Sequence, residues 1–131
     1  MELNFTIPLD PKSKKNSQRI IRIGGSPRIA QGAVYSKYEK LWGQFMPKLA
    51  EPITSPVNVR AVFYRETRRR VDLSNLQAAL CDILAKYGVV ADDCRDIVAS
   101  MDGSAVYWDK KNPRTEVTIT GIEGYEQWKT E

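Results

Sequence analysis

At 131 residues, with a formal net charge of +4, the chain is long enough for one domain with its own core and needs no disulfide or metal staple to hold it. It has no histidine, which excludes zinc fingers, His-dependent triads and Cys–His nucleophile pairs, and its two cysteines, Cys81 and Cys94, lack CxxC spacing. Any chemistry must therefore run on carboxylates, lysines, hydroxyls or bound ions.

Leu3 to Ile7 alternates as "LNFTI" and predicts a strand closed by Pro8. "DPKSKKNSQ" then has loop chemistry, Arg19 to Ile23 predicts a short strand, and Gly24-Gly25-Ser26-Pro27 a turn. Tyr38, Leu41, Trp42, Phe45 and Leu49 recur at spacings of three and four, which predicts a helix over Ser36 to Leu49. Val57 to Tyr64, "VNVRAVFY", is β-branched and aromatic, hence a strand. A second helix is expected from Asp72 to Tyr87, with Gly88 just beyond its end. Arg95 to Met101 reads as extended, Thr115 to Ile122 as an alternating strand, and Tyr125 to Lys129 as a short helix packing through Trp128. The sum is an α+β pattern, a single domain over 1–131 with a small sheet packed against two main helices. Two buried thiols, no membrane-crossing run and no signal-peptide layout at "MELNFTIPLD" make a cytoplasmic address the expectation.

Charge is unevenly placed. Lys12, Lys14, Lys15, Arg19, Arg22, Arg28, Lys37 and Lys40 face the single acid Glu39 in the first third, and Arg60, Arg65, Arg68, Arg69 and Arg70 face Glu66. From Ala91 to Asp102 the sign reverses, with Asp92, Asp93, Asp96 and Asp102 against Arg95. Basic stretches beside a concentrated acidic cluster suggest a polyanion binder with a local cation site.

On a helical wheel, Leu73, Leu76, Leu80, Ile83, Leu84 and Tyr87 form one apolar stripe, while Asp72, Asn75, Asp82 and Lys86 share an adjoining one. Taken singly, Asp72 is a helix cap and Asp82 the i,i+4 partner of Lys86. Neither reading accounts for "RRRVDLSN", the arginine run that leads into Asp72, or for "GVVADDCRD", which brings Asp92 and Asp93 back after the helix. Adjacent carboxylates sit comfortably beside a cation, and Mg²⁺ takes carboxylates and water without needing histidine. Phosphodiester hydrolysis has matching needs, with an ion at the phosphoryl group and arginines or lysines on flanking phosphates.

In "PKSKKNS", "VNVRAVFY", "RRRVDLSNLQAALCDIL", "YGVVADDCRDIV" and "PRTEVTIT", taken in that order, the chain resembles the RusA-type Holliday-junction resolvases, endodeoxyribonucleases common in phages and prophages. The resemblance implies a homodimer of small mixed α/β subunits that binds branched DNA, the four-way junction, and cuts opposed strands with Mg²⁺ or Mn²⁺ and no nucleotide cofactor. It implies that Asp72, Asp93 and Asp82 are catalytic and hold the metal with Asp92 beside them, and that Asn75 and Ser74 support them. Arg68, Arg69, Arg70, Lys14 and Lys15 would contact phosphates. The chain departs from the family pattern at Ser74, where a second aspartate is expected, and at Ala78, where a lysine often follows. A relative that binds junctions or duplex DNA with weak or no cleavage is the alternative these departures leave open.

Overall fold

The computed structural model describes residues 1–14, 19–30, 32–93 and 95–124. Its centre is a mixed five-stranded sheet. β1 (Glu2–Ile7) forms one edge and pairs antiparallel with β7 (Arg114–Gly121), from Glu2 opposite Thr120 to Ile7 opposite Thr115. β7 pairs antiparallel with β4 (Val57–Arg65), which in turn carries two short parallel strands, β5 (Val98–Ser100) and β6 (Ala105–Trp108). Alternation explains the inner strands: Thr115, Val117 and Ile119 of β7 and Val57, Val59, Ala61 and Phe63 of β4 are all buried. Two helices complete this α+β architecture, α1 (Ala33–Trp42) and α2 (Leu73–Lys86).

α2 makes the crossover between β4 and the parallel β5, the connection that parallel strands require. Its apolar stripe is the predicted one: Leu76, Leu80, Ile83 and Leu84 are at most 1 % exposed, each burial favouring the fold by roughly 1.5–3 kcal/mol. The helix ends in a Schellman motif. The Val89 amide donates to the Leu84 carbonyl at 2.9 Å and the Gly88 amide to Ala85 at 3.2 Å, while Val89 and Leu84 are fully buried. Gly88 adopts φ +74°, and a Cβ there would meet nothing within 4 Å, so its cost is purely conformational. Gly88→Ala should therefore destabilise the protein by about 1–2 kcal/mol, read as a lower urea midpoint at unchanged m-value.

Three expectations need correction. The first helix stops at Trp42, and the residues around Phe45 and Leu49, each 37 % exposed, lie beyond it. Gly43 closes the helix against the Tyr87 ring, and Pro47 cannot extend it. The turn predicted over Gly24–Pro27 narrows to Gly24-Gly25, both at positive φ, so that Ser26–Ala30 forms β3, a hairpin partner for β2 (Arg19–Ile23) in a separate two-stranded sheet. β6 was not anticipated; it begins after Gly103, where the Ser104 hydroxyl accepts the Ala61 amide at 3.1 Å. The predicted strands at Arg19, Val57 and Thr115 form within a residue of their expected bounds, while the extended stretch from Arg95 shrinks to β5. Cys81 is buried; Cys94 and the predicted tail helix at Tyr125 to Lys129 lie outside the described residues. Among the described residues no helix is long and apolar enough to cross a membrane.

Candidate functional site

α2 carries candidate site residues at its start and in its later turns. Asp72 is the N-cap, in extended conformation at φ −89° and ψ 130°, and its carbonyl accepts the amides of Asn75 and Leu76 at 3.1 and 3.3 Å. Its carboxylate makes no capping bond among the described residues; its partner is the Asn75 side-chain amide, which donates to Oδ2 over a long 3.4 Å. Asp72 thus starts the helix with its backbone and leaves an exposed carboxylate free for other work. Ser74 is exposed one residue inside the helix.

Asp82 lies ten residues along the chain from Asp72, about 15 Å of helical rise. That span is too long for both to ligate one ion. The expected ion pair of Asp82 with Lys86 is not made. Lys86 instead pairs with Glu39 of α1, and Asp82 accepts a 2.7 Å hydrogen bond from Lys14, 68 positions away. The return loop brings Asp93 onto Asp82. A hydrogen bond with the Asp82 carboxyl, then burial, then Asp92 raise the Asp93 pKa above the ordinary carboxylate value. Because Asp93 is exposed, the neighbouring Asp82 carboxyl matters more here than desolvation. The Asp93 amide also donates to Asp92 Oδ1 at 2.7 Å, fixing the pair in the loop.

Two further groups feel this acidic corner. Burial, with Asp93 and Asp82 adding to it, pushes the Cys81 thiol up to about 11, so it is no nucleophile at neutral pH. The buried Tyr35 hydroxyl of α1 is likewise raised, first by burial and then by Glu39, Tyr38 and Asp82. Asp82, Asp93 and Asp92 are therefore brought together and Asp72 stands apart. Among the described residues, no group of three or more acidic or thiol side chains is placed to hold a metal ion.

The arginine run does not act as one block. Arg68 stacks over the Trp108 ring at 4.1 Å, while Arg69 and Arg70 line a cleft of about 680 Å³ together with Asp72. Arg65, at the end of β4, reaches across and donates to the Arg69 carbonyl at 2.8 Å. Lys12, Ser13 and the start of α1 line the same cleft. Lys15 lies outside the described residues. Sequence reasoning passed over Lys12, Ser13, Arg65 and Trp108; the one signal available was that Arg65 and Lys12 belong to the basic stretches already noted.

The family model of the endodeoxyribonuclease RusA matches residues 8–120, which takes in every element from β2 to β6 and almost all of β7. No curated protein matches the chain.

Proposed function

The chain belongs to the family of the endodeoxyribonuclease RusA, and on that premise we propose that it hydrolyses phosphodiester bonds in four-way DNA junctions with the help of a divalent ion. The observation that carries this reading is the contact between the Asp93 and Asp82 carboxyls, which loads one corner of an otherwise basic protein with mutually repelling negative charge. The carboxylate oxygens of this corner suit Mg²⁺ or Mn²⁺, and Mg²⁺ typically takes one or two protein carboxylates and completes its shell with water and substrate phosphate. Asp93 and Asp82 would hold the ion, with Asp92 orienting Asp93 through its amide. When bound, the ion would polarise a phosphoryl oxygen and lower the pKa of nearby water.

The protein's own groups supply the rest. Arg69 and Arg70 would bind backbone phosphates beside Asp72, on a stretch of strand about three helical turns from the acidic corner. Lys14 holds the Asp82 carboxylate in place until DNA arrives. The described residues of one chain carry one such acidic corner, so paired cuts in opposed strands require two copies, and a homodimer is part of the proposal.

A binding-only relative is the second reading. It is favoured by Ser74, a neutral hydroxyl in the first turn of α2, and by Lys14, which already neutralises Asp82. Cleavage separates the two. A labelled synthetic junction should be cut in Mg²⁺ or Mn²⁺ and remain intact in chelator, while binding persists in both and weakens steeply with salt. Salt-sensitive binding with no product in either ion would establish the binding-only reading.

A further inference from the structure

The cleft beside Asp72 has features that phosphate contact by surface arginines does not require. Two residues that line it each bury a donor with no partner among the described residues: the Ser13 hydroxyl, in a residue only 2 % exposed, and the Nε of Arg65. A buried donor without an acceptor is unfavourable, and structures rarely retain one unless a water, ion or ligand meets it. The Arg65 guanidinium is meanwhile held in place, because its Nη1 is anchored on the Arg69 carbonyl.

The start of α1 forms part of the same cleft. Gly32 is its N-cap and offers no side-chain acceptor, and there is no acid in the first turn. The amides of Ala33, Val34 and Tyr35 have no acceptor within the helix, and the helix dipole favours an anion there. Charge points the same way. Lys12 is paired with Asp10 at 2.9 Å, which leaves Arg65, Arg69 and Arg70 against Asp72. Helix terminus, buried hydroxyl and anchored guanidinium are independent features of residues that line one cleft, and each suits an anionic oxygen-rich ligand.

We infer that this cleft is a dedicated seat for one internal phosphodiester of the DNA backbone, gripped by Ser13, Arg65 and the first-turn amides of α1 and steered in by Arg69 and Arg70. The choice of DNA as the source of the phosphate rests on the nuclease reading. Ser13 and Arg65 are positioning residues: they set the strand's register relative to the corner of Asp82 and Asp93 and do not touch the reacting atoms.

The test is a binding experiment in chelator, so that nothing is cut. Single phosphates of a four-way junction are replaced in turn by neutral methylphosphonates, and each junction is titrated with wild-type protein, Ser13→Ala and Arg70→Ala. Wild type should lose about tenfold in affinity at one internal position per half-junction. Ser13→Ala should bind the unmodified junction several-fold more weakly and show no added loss at that position. Arg70→Ala, a change at an exposed residue, should behave the same way. Removing a hydroxyl that has no partner should leave the thermal midpoint of Ser13→Ala unchanged or higher, which a merely structural role would not. Losses that simply add at every position overturn the seat, as does wild-type affinity in Ser13→Ala. A loss seen only when terminal phosphates are stripped also overturns it, because the ligand is then a monoester end. Cleavage in Mg²⁺ reads the nuclease proposal separately: cutting without phosphate coupling removes the seat alone, and coupling without cutting leaves the seat standing.

Discussion

Asp93→Asn should lower junction cleavage by about a thousandfold and leave junction affinity within about twofold. The substitution keeps the shape of the side chain but removes a charge and a metal-ligating oxygen. Asp93 is exposed in the return loop, so no packing is lost. The same change should also stabilise the fold, for a reason that can be checked independently. The folded chain binds the Asp93 proton more tightly than the ordinary carboxylate value of 3.8, chiefly because Asp82 shares a hydrogen bond with it. Below that value both folded and unfolded chains are protonated and the site costs nothing. As pH rises through the window between 3.8 and the raised folded value, the folded chain holds more protons than the unfolded one, so stability falls with pH. Above the window the repulsion is present in full. Asp93→Asn should therefore have a higher urea midpoint than wild type at neutral pH, with the difference closing near pH 3. Cleavage equal to wild type would remove Asp93 from the site, and a lower midpoint at neutral pH would contradict the crowding at Asp82.

The largest effect on stability is expected at Phe63. Its side chain is 1 % exposed, and its backbone lies between Thr115 of β7 and Val106 of β6. β4 is the strand with which β7, β5 and β6 all pair. Phe63→Ala should cost about 3–5 kcal/mol from lost burial and the cavity left behind. That is a large share of the roughly 5–15 kcal/mol that holds a domain of this kind together. Circular dichroism should show a thermal midpoint lower by roughly 10–20 °C. A loss below about 1 kcal/mol would mean that the ring is not in the core.

The parts of the fold legible in the sequence were those set by local periodicity. α2 was readable because its apolar stripe and Gly88 agree on where it runs and stops. α1 was overextended because Phe45 and Leu49 continue its period, and period alone does not register that Gly43 packs against Tyr87. β3 was hidden by Pro27, which reads as turn chemistry, and β6 by its length of four residues. At the site, the grouping of Asp92 and Asp93 was visible because they are adjacent. The pairing of Lys14 with Asp82 was not, because it joins β1's following loop to the middle of α2, whereas the sequence suggested the local Lys86. Helical rise also separates Asp72 from Asp82, although the wheel had placed them on one stripe: a wheel shows angle and hides distance along the axis. The RusA resemblance had put both on one metal, and the geometry divides them between an acidic corner and a basic cleft.

The pairing of β1 with β7 bears on how the molecule comes into being. The Gly121 amide donates to the Met1 carbonyl at 3.1 Å, and residue 2 sits opposite residue 120. During synthesis the first strand must wait, without its partner, until residues 114–121 of β7 have been made. Contacts this distant in sequence close slowly, because the loop entropy is spent before the strand pairing can repay it. Pairing of β1 with β7, and not the appearance of any earlier element, is then the event that completes the sheet.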